Sequence, residues 1–502
     1  MDTDVNGETD HVYEALIVGS GFGGQSAAIE LGKAGVHDVV ILERRDFVGG
    51  TWCQNSYPGA AVDVQSHLYS LSGVRYRWSR LFAEGDELRD YTEHVLDTHG
   101  LRSRVRTGEN VTVMRWDDEA GLWTVETEAG RTYRARVVVN ASGPLSTAVI
   151  PPIPGRESFA GAQFHTNDWD HSVDLAGKRV AVVGSGASAA QVIPTIAPGV
   201  GHLHVFQRSP HWVMPRRDRV FGRFERWLVN TRIVSLLLRA LFYWRLEVRV
   251  VGFKYSRVML DLVATRSARR HLRRQVADPA LRRALTPDYT IGCKRVILSD
   301  TLYPALCREN VTLHTREDGI AEITPEGIVT TTGERLPVDV IVWATGYDAT
   351  DGAVSHEIVG RDGVRLADVW AEYPRAYLGT TVPGFPNLFL TLGPNTGIGH
   401  TSALFIMESQ LRYIVDCVRR LRESGARSLE VRADAEERYT TGIHSEMERT
   451  VWHSGGCTSW YQSASGKVIA MYPGFSFTYR RHTRRMDPAD HVLTPAATTQ
   501  AV

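Results

Sequence analysis

The chain is poor in cysteine and has no long apolar run. Its five cysteines are scattered without a CxxC pair. This spacing argues against a disulfide framework and a dithiol redox centre, and it is typical of a reducing cytoplasm. The longest apolar stretch, residues 233–244, contains Arg239 and is shorter than the roughly 20 residues of a membrane-spanning helix. The first ten residues are acidic and polar, so we expect a loose tail and no secretory signal. The five cysteines of the 502 residues are Cys53, Cys293, Cys307, Cys417 and Cys457.

An excess of charge of either sign is also missing. The 57 Lys and Arg residues balance the 57 Asp and Glu residues, which argues against a nucleic-acid partner. Hydrophobic residues make up 43% of the chain, as in ordinary soluble globular proteins. A chain of this length predicts two or three packed domains.

A glycine-rich segment near the N-terminus follows an apolar strand and opens a helix. The segment Gly19-Ser-Gly21-Phe-Gly-Gly24 comes after a strand predicted at residues 13–18 and before another at 39–42. In such a βαβ unit the glycines permit a tight turn, a close approach to a pyrophosphate, and packing of helix on strand. Glu43 closes the second strand, where a carboxylate accepts a hydrogen bond from an adenosine ribose hydroxyl. The unit predicts an FAD site.

The same βαβ device occurs a second time in the chain. The segment Gly184-Ser-Gly186-Ala-Ser-Ala189 follows a strand predicted at residues 179–183 and precedes one at 204–207. Arg208 lies 24 residues after Gly184, which is also the offset of Glu43 from Gly19. A guanidinium at this position binds a 2′-phosphate through charge-assisted hydrogen bonds, so the second site is predicted to bind NADPH. The alternative is an ordinary solvated surface arginine.

Two dinucleotide sites leave several classes of flavoprotein open. A disulfide reductase, an amine oxidase and a monooxygenase all fit the repeated device. A reductase needs a cysteine pair against the flavin, and the sequence offers no such motif, so this class is disfavoured.

The segment between the two devices narrows the choice. Residues 159–170 have the form FxGxxxHxxxW[PD] and resemble the fingerprint of type I Baeyer–Villiger monooxygenases. The related flavin-containing monooxygenases carry an aromatic residue followed by a basic one where this chain has Trp169 and Asp170. The resemblance implies that His165 supports a domain junction and does not perform chemistry.

Further segments resemble the same family from about residue 12 to residue 462. Residues 49–63 are similar to the family's GGxWxxNxYPGxxxD loop, and residues 292–295 to its G-x-K-R turn. Residues 344–348 and 393–402 are similar to the segments by which the chain returns to the FAD domain and flanks the flavin.

The resemblance implies an FAD-dependent, NADPH-consuming monooxygenase. Such an enzyme inserts one oxygen atom of O2 next to a ketone carbonyl through a C4a-peroxyflavin and releases an ester or lactone. Arg295 takes the place of the active-site arginine, a fixed cation that stabilises developing negative charge. Asp63 takes the place of the carboxylate that orients it. The alternatives are that Asp63 caps the stretch at residues 66–70 and that Arg295 forms a surface ion pair.

The remaining site predictions concern the two cofactors, and no metal is expected. For FAD they are Gly19, Gly21, Gly24, Glu43, Thr51, Trp52, Asp63, Tyr69, Val111 through its backbone at the adenine end, and Asn395. For NADPH they are Gly184, Ser185, Gly186, Ala187, Ser188, Arg208, Ser209, Lys294 and Arg295. Cys53, within the flavin loop, is interpreted as a packing residue.

The predicted fold class is α/β, with two Rossmann-like dinucleotide-binding domains for FAD and NADPH and a helical insertion in the NADPH domain. The FAD domain is expected at residues 1–148 and 338–502, with disorder after about 493, and the NADPH domain at 149–337. The insertion, about residues 212–290, mixes aromatic and leucine residues with arginines. It could act as a substrate lid, touch a membrane surface, or pack as ordinary helices on the NADPH domain.

Two C-terminal segments, residues 457–461 and 472–481, resemble the family branch that contains 4-hydroxyacetophenone monooxygenase. This branch implies an aromatic or bulky ketone as substrate, together with O2. Stable insertion into a membrane is not expected. Two rival functions remain open, a flavin-containing monooxygenase acting on nitrogen or sulfur and a non-catalytic flavoprotein that binds NADPH.

Overall fold

The computed structural model of the protein describes residues 11–348 and 354–496. The predicted N-terminal tail lies outside these residues. Two large sheets organise the chain. The larger sheet contains β1 (Val12–Val18), β2 (Val39–Glu43), β3 (Val105–Thr107), β4 (Val111–Asp117), β5 (Leu122–Thr127), β6 (Thr132–Asn140), β17 (Glu357–Val359) and β18 (Leu388–Leu390). The second sheet contains β7 (Ala162–His165), β8 (Arg179–Val183), β9 (His202–Phe206), β12 (Val311–His314) and β16 (Val340–Trp343).

The larger sheet has the order β17-β4-β5-β6-β1-β2-β3, and β18 also pairs with β6. Strands β6, β1 and β2 run parallel, whereas β4, β5 and β6 form an antiparallel meander. All residues of β2 are buried, as is typical of a parallel strand that is covered on both faces.

The second sheet has the order β12-β9-β8-β16-β7 with every pair parallel. β16 is fully buried and lies between β8 and β7. The boundary predicted at residue 338 therefore lies ahead of the last strand of this sheet. Local patterning could not show it, because an apolar strand reads the same in either sheet.

Helices cover both sheets. They are α1 (Phe22–Lys33), α2 (Thr51–Gln54), α3 (Gly85–Thr98), α4 (Ala187–Ile196), α5 (Arg223–Val229), α6 (Arg232–Glu247), α7 (Arg257–Leu260), α8 (Arg266–Gln275), α9 (Pro279–Ala284), α10 (Leu302–Leu306), α11 (Leu366–Val369), α12 (Ala403–Ser424), α13 (Ala433–Met447), α14 (Val451–Ser454) and α15 (Ser476–His482). Leu31 of α1 and Leu411 of α12 share one core with Ile17 and Ile41 of the larger sheet. This packing fixes the N-terminus of α1 at the carboxyl edge of β1.

Small sheets complete the fold. The pairs are β10 (Val213–Met214) with β11 (Ile297–Leu298), and β19 (Ala426–Val431) with β20 (His491–Pro495); β13 (Ile320–Thr324), β14 (Gly327–Thr330) and β15 (Arg335–Pro337) form a three-stranded sheet. The prediction of disorder after about residue 493 is wrong as far as Pro495, since Thr494 pairs with Ser428 and Pro495 with Ala426. The open edge of β19 offers backbone partners that the polar composition of the tail did not reveal. Residues 497–502 lie outside the described part.

The helical insertion predicted at about residues 212–290 is present as α5 to α9, between β10 and β11. The contacts of its first half lie outside the second sheet. Arg239 of α6 donates to the carbonyl of Ser70 at 2.8 Å, and the hydroxyl of Tyr243 lies 3.0 Å from that of Ser476. By contrast, Leu272 of α8 belongs to the core of the second sheet. The insertion thus bridges the two sheet regions.

A disulfide joins Cys293 to Cys457, although the scattered cysteines argue against a disulfide framework. The two residues are 164 positions apart. The fold brings the turn at residues 292–295 beside the loop that follows α14, a contact that the spacing of the two cysteines along the chain does not reveal. Among the described residues Cys53, Cys307 and Cys417 are free.

Candidate active site and dinucleotide sites

One large cavity of about 770 Å³ runs between the two sheet regions and the insertion. It extends along the N-terminus of α1, past the flavin loop at residues 49–63, to the turn at 292–295. Its walls include most of the predicted FAD residues: Gly19, Gly21, Glu43, Thr51, Trp52, Asp63, Tyr69 and Val111. Arg295 lines the same cavity.

The glycines of the first device have distinct physical reasons. Gly19 has a φ of +97°, and a Cβ there would lie 2.6 Å from the carbonyl oxygen of Ala141. A Cβ on Gly24 would lie 1.9 Å from the carbonyl oxygen of Gly19, so Gly24 permits helix–strand packing and does not itself line the cavity. Gly21 has ordinary extended backbone, and a Cβ there would meet only Gly50, at 3.5 Å. Packing therefore does not require a glycine at this position, whereas close approach of a pyrophosphate does.

Glu43 is fixed at the carboxyl end of β2. It is buried, and its carboxylate accepts from the backbone N–H groups of Ser20 and Arg45, each at 3.0 Å. The hydroxyl of Ser20 accepts from the N–H of Gly49 at 3.0 Å, which joins the glycine turn to the flavin loop. The free N–H groups at the start of α1 lie in the same wall, so a ribose and a pyrophosphate can be bound side by side.

The second device repeats this geometry on the second sheet. Gly184 has a φ of +134°, and a Cβ there would lie 2.2 Å from the carbonyl oxygen of Ala344. Gly186 is extended, and a Cβ there would meet no atom within 4 Å. The open space over Gly186 is what a bound pyrophosphate requires. Ala189, at the third glycine position, is fully buried in helix–strand packing. Ala187 and Ser188 form the first turn of α4.

Two cations lie beside this second device. The Lys294 ammonium donates to the hydroxyl of Ser209 at 2.8 Å, and the Ser185 hydroxyl donates to the carbonyl of Ser209 at 2.8 Å. Burial, and then the nearby charge of Arg208, lower the pKa of Lys294. Arg208 is exposed. The two positive charges lie beyond the end of β9, and such a pair can bind an anionic group through charge-assisted hydrogen bonds.

Arg295 and Asp63 form the charged centre of the cavity. The Nε and Nη2 atoms of Arg295 donate to Oδ2 of Asp63 at 2.9 and 2.5 Å. The charge of Asp63 raises the pKa of Arg295 well above its ordinary value, and Tyr461 and Tyr69 contribute in the same direction. Asp63 does not cap the stretch at residues 66–70, and Arg295 forms its ion pair on the cavity wall.

Aromatic side chains surround this pair. The Trp52 indole N–H donates to the Tyr69 hydroxyl at 3.0 Å, and burial raises the pKa of Tyr69 to about 12. Burial also raises the pKa of the Cys53 thiol to about 11, which agrees with a packing role for Cys53 and not a nucleophilic one.

Asn395 is placed differently from the prediction. It is buried, does not line the cavity, and donates to the carbonyls of Val468 and Met471, each at 3.1 Å. Its neighbours Pro394 and Thr396 line the cavity instead. Asn395 therefore holds the flavin-flanking loop in place.

The FxGxxxHxxxW[PD] segment lies at the junction of the two sheet regions. β7, which carries His165, is an edge strand of the second sheet, and the His165 ring accepts from the N–H of Asn167 at 3.0 Å. The carboxylate of Asp168 then accepts from Arg45 at 3.0 Å and from Gln54 at 3.2 Å, both in the region of the flavin loop. His165 does not line the cavity, so the contacts are structural.

Sequence reasoning missed several lining residues. Arg44 lies beside Glu43 and donates to the carbonyl of Ser146 at 2.8 Å. The insertion contributes Arg245, Arg249, Phe253 and Met259. Their positions lie in a segment without motifs, and no sequence signal could have located them.

The disulfide does not turn the site into a reductase centre. Neither Cys293 nor Cys457 is among the described residues that line the cavity, and Cys293 is fully buried. Dithiol exchange with a flavin requires direct contact, so the bond holds the 292–295 turn and does not serve as a redox partner of the flavin.

Comparisons with known proteins agree with this geometry. A family model described as pyridine nucleotide-disulphide oxidoreductase matches residues 16–220. The chain is 45% identical to a Baeyer-Villiger monooxygenase of Streptomyces coelicolor, over 97% of this chain and 94% of that protein.

Two solved structures relate the cavity to cofactors. Cyclohexanone monooxygenase from Rhodococcus sp. Phi1 bound to NADP+ matches with a TM-score of 0.86 and 30% identity, over 97% of this chain and 99% of that one. The OTEMO complex with FAD and NADP matches with a TM-score of 0.86 and 27% identity, over 96% and 99%. The chain belongs to the Baeyer–Villiger monooxygenase family and is an FAD-dependent enzyme that consumes NADPH to insert one oxygen atom next to a ketone carbonyl.

Proposed function

We propose that the turn at residues 292–295 couples the two dinucleotide sites, with Arg295 and Asp63 as the catalytic residues. One observation carries this proposal. The adjacent residues Lys294 and Arg295 bind partners in different sites, Lys294 on Ser209 of the NADPH device and Arg295 on Asp63 of the FAD cavity. A group at this point can contact the nicotinamide and the reacting face of the flavin.

When bound, reduced FAD supplies the activated oxygen atom that enters the ketone. Arg295 supplies a permanent positive charge where negative charge develops on the reacting oxygen atoms, because a guanidinium stays protonated at any working pH and Asp63 raises the pKa of Arg295 further. Asp63 holds the guanidinium through two hydrogen bonds to one oxygen atom. Asp63 is thus an orienting group and balances the charge of Arg295 before substrate arrives.

The cofactor roles follow from position. We assign Gly19 and Gly21 to the FAD pyrophosphate, Glu43 to its ribose, Val111 to its adenine end, and Thr51, Trp52 and Tyr69 to the flavin end. Gly24 and Asn395 act by packing. The NADPH phosphates are assigned to Gly184, Ser185, Gly186, Ala187, Ser188 and Ser209, and the 2′-phosphate to Arg208 and Lys294.

The substrate is proposed to be an apolar ketone. The cavity beyond Arg295 is walled by Leu246, Phe253, Met259 and Trp460. This apolar wall fits aromatic or bulky ketones of the kind expected for the branch that contains 4-hydroxyacetophenone monooxygenase. O2 is the second substrate.

The domain division and the location remain predictions. We propose an FAD domain from the two ends of the chain and an NADPH domain between them, extended to include β16. A cytoplasmic location is proposed from the scattered cysteines, which lack the pattern of a secreted disulfide framework.

The test uses the FAD-loaded enzyme with NADPH, O2 and a panel of ketones, sulfides and amines. Arg295→Ala should retain FAD and lose ester formation by roughly 100- to 1,000-fold, the scale for loss of one preorganised charge partner. Arg485→Ala, which removes an exposed arginine elsewhere, should behave like the wild type. Undiminished ester formation by Arg295→Ala would remove Arg295 from the mechanism, and products from sulfides or amines alone would favour the flavin-containing monooxygenase reading.

A further inference from the structure

Helix α6 presents its apolar stripe to solvent. Ile233, Leu236, Leu237, Leu241 and Trp244 recur at helical spacing, and their exposed fractions range from 56% to 72%. A surface helix normally turns such a stripe toward the core. An exposed patch of this kind marks a surface that is covered by something else.

The side of α6 that carries Arg239, Tyr243 and Glu247 is held by the rest of the fold. Glu247, at the end of the helix, is buried, and its carboxylate accepts from the hydroxyl of Ser476 at 2.7 Å and lies 3.3 Å from the His400 ring. Arg239 and Tyr243 bind the same region of the fold. The helix therefore cannot roll its stripe inward without breaking these buried contacts, so the outward orientation is built into the fold.

Neighbouring segments extend the stripe into a wider patch. On α5, Phe224 is 72% and Trp227 56% exposed, and the Phe477 ring lies 6.0 Å from that of Trp244. We name this surface the apolar face: the exposed apolar side chains of residues 224–263 together with Trp460 and Phe477.

The apolar face contains the mouth of the active-site cavity. Val248, Met259, Val263 and Trp460 line the cavity and are also exposed on the outer surface. A ligand that is dissolved in whatever covers the apolar face therefore reaches the cavity without crossing water.

Charge decides between possible occupants. Residues 223–274 contain thirteen Lys and Arg against three Asp and Glu, in a chain whose charges balance overall. Of the three acids, Glu247 is buried. A second copy of the chain would bring an equally positive face into contact, which is repulsive. An anionic lipid surface offers acyl chains for the apolar side chains and phosphate headgroups for the arginines.

We infer that the apolar face docks on the surface of an anionic lipid bilayer and that an apolar ketone enters the cavity from the lipid. Every helix in residues 11–348 and 354–496 is too short or too polar to span a bilayer, so the contact is peripheral. The inference about ketone entry rests on the proposed function, whereas docking itself does not.

The experiment measures co-sedimentation of the FAD-loaded enzyme with vesicles of phosphatidylcholine alone or mixed with phosphatidylglycerol. We expect binding to the anionic vesicles that falls as salt is raised. The double variant Leu237→Glu/Leu241→Glu should bind at least about tenfold more weakly, since it places charges in the apolar contact. The variant Arg223→Glu/Arg232→Glu should show a similar loss, because each arginine near an anionic surface contributes about fivefold.

The matched control is Val364→Glu/Val492→Glu, which places the same two charges at exposed valines outside the apolar face. This control should bind vesicles like the wild type. Turnover of a small water-soluble ketone should be unchanged in all variants. Turnover of a long-chain ketone carried in anionic vesicles should fall only in Leu237→Glu/Leu241→Glu and in Arg223→Glu/Arg232→Glu.

The inference would be overturned if the wild type binds neither kind of vesicle. It would also be overturned if the Leu237/Leu241 and Arg223/Arg232 variants bind anionic vesicles as tightly as the control variant. So would a wild-type dimer in sedimentation velocity that Leu237→Glu/Leu241→Glu converts to a monomer, because a second copy would then cover the face. If the wild type does not oxidise the small ketone, the proposed function is contradicted, whereas vesicle binding can still be measured and tests docking separately.

Discussion

Replacement of Arg208 by alanine tests the assignment of the second dinucleotide site. The guanidinium of Arg208 is exposed just beyond β9, and burial, followed by the charge of Arg208, lowers the pKa of Lys294. Two cations this close repel each other unless an anion lies between them. The 2′-phosphate of NADPH supplies that anion, and NADH lacks it.

The size of the effect follows from one lost charge-assisted contact. Such a bond contributes about 1.5–3 kcal/mol, and the exposure of Arg208 places it in the lower part of that range. At 1.4 kcal/mol per factor of ten, we expect NADPH binding to weaken by roughly 10- to 30-fold. Lys294 remains in the variant, so binding is weakened and not abolished.

The assay is flavin reduction by NADPH and by NADH in the absence of O2, with the dissociation constant taken from the dependence on cofactor concentration. Arg316→Ala is the matched control, since Arg316 is exposed on the same sheet region and does not line the cavity. NADH constants should stay within about twofold for both variants, a change under half a kcal/mol. Equal weakening of NADPH and NADH by Arg208→Ala would refute the 2′-phosphate assignment.

Two further predictions concern glycine and a buried carboxylate. Gly24→Ala should lose bound FAD and yield little folded protein, because a Cβ there would lie 1.9 Å from a backbone oxygen. Gly186→Ala should fold and keep FAD but bind NADPH more weakly. Flavin absorbance and NADPH titration measure these effects, and an intact Gly24→Ala holoenzyme would contradict the prediction. Glu247→Gln should lower the free energy of unfolding by about 1–3 kcal/mol in urea, against a change near zero for the exposed Glu119→Gln. Burial alone would raise the pKa of Glu247, but the contacts with His400 and Ser476 outweigh it and lower the pKa. The wild type should thus have this stabilisation above the ordinary glutamate pKa and lose it as pH falls through the lowered value, whereas the variant should lack this pH dependence.

Local sequence is enough to predict both nucleotide-binding devices. Their geometry is local: Gly19 and Gly184 need positive φ, Gly24 needs close packing, and all lie within a few residues of the strand that they follow. Glu43, the last residue of β2, and Arg208, two residues after β9, hold matching positions in the two devices, and their side chains predict ribose recognition by the first and phosphate recognition by the second. These features can be predicted without knowledge of the rest of the fold, because each depends on residues nearby in the chain.

The tertiary structure alone decided which distant residues meet. Arg295 and Asp63 are 232 positions apart. Their resemblance to family motifs predicted a contact, but only the structure gives the two hydrogen bonds that join them. The Cys293–Cys457 bond and the pairing of Thr494 with Ser428 went against the sequence predictions, since spacing and composition carry no information on contacts across the fold.

The insertion shows the limit most clearly. A 3.6-residue period establishes that α6 has one apolar face, but it cannot say on which side of the helix the protein lies. The buried contacts of Arg239 and Glu247 with residues far along the chain set that direction and leave the stripe outward. Amphipathic pattern is thus a property of the local sequence, whereas its orientation is a property of the packed fold.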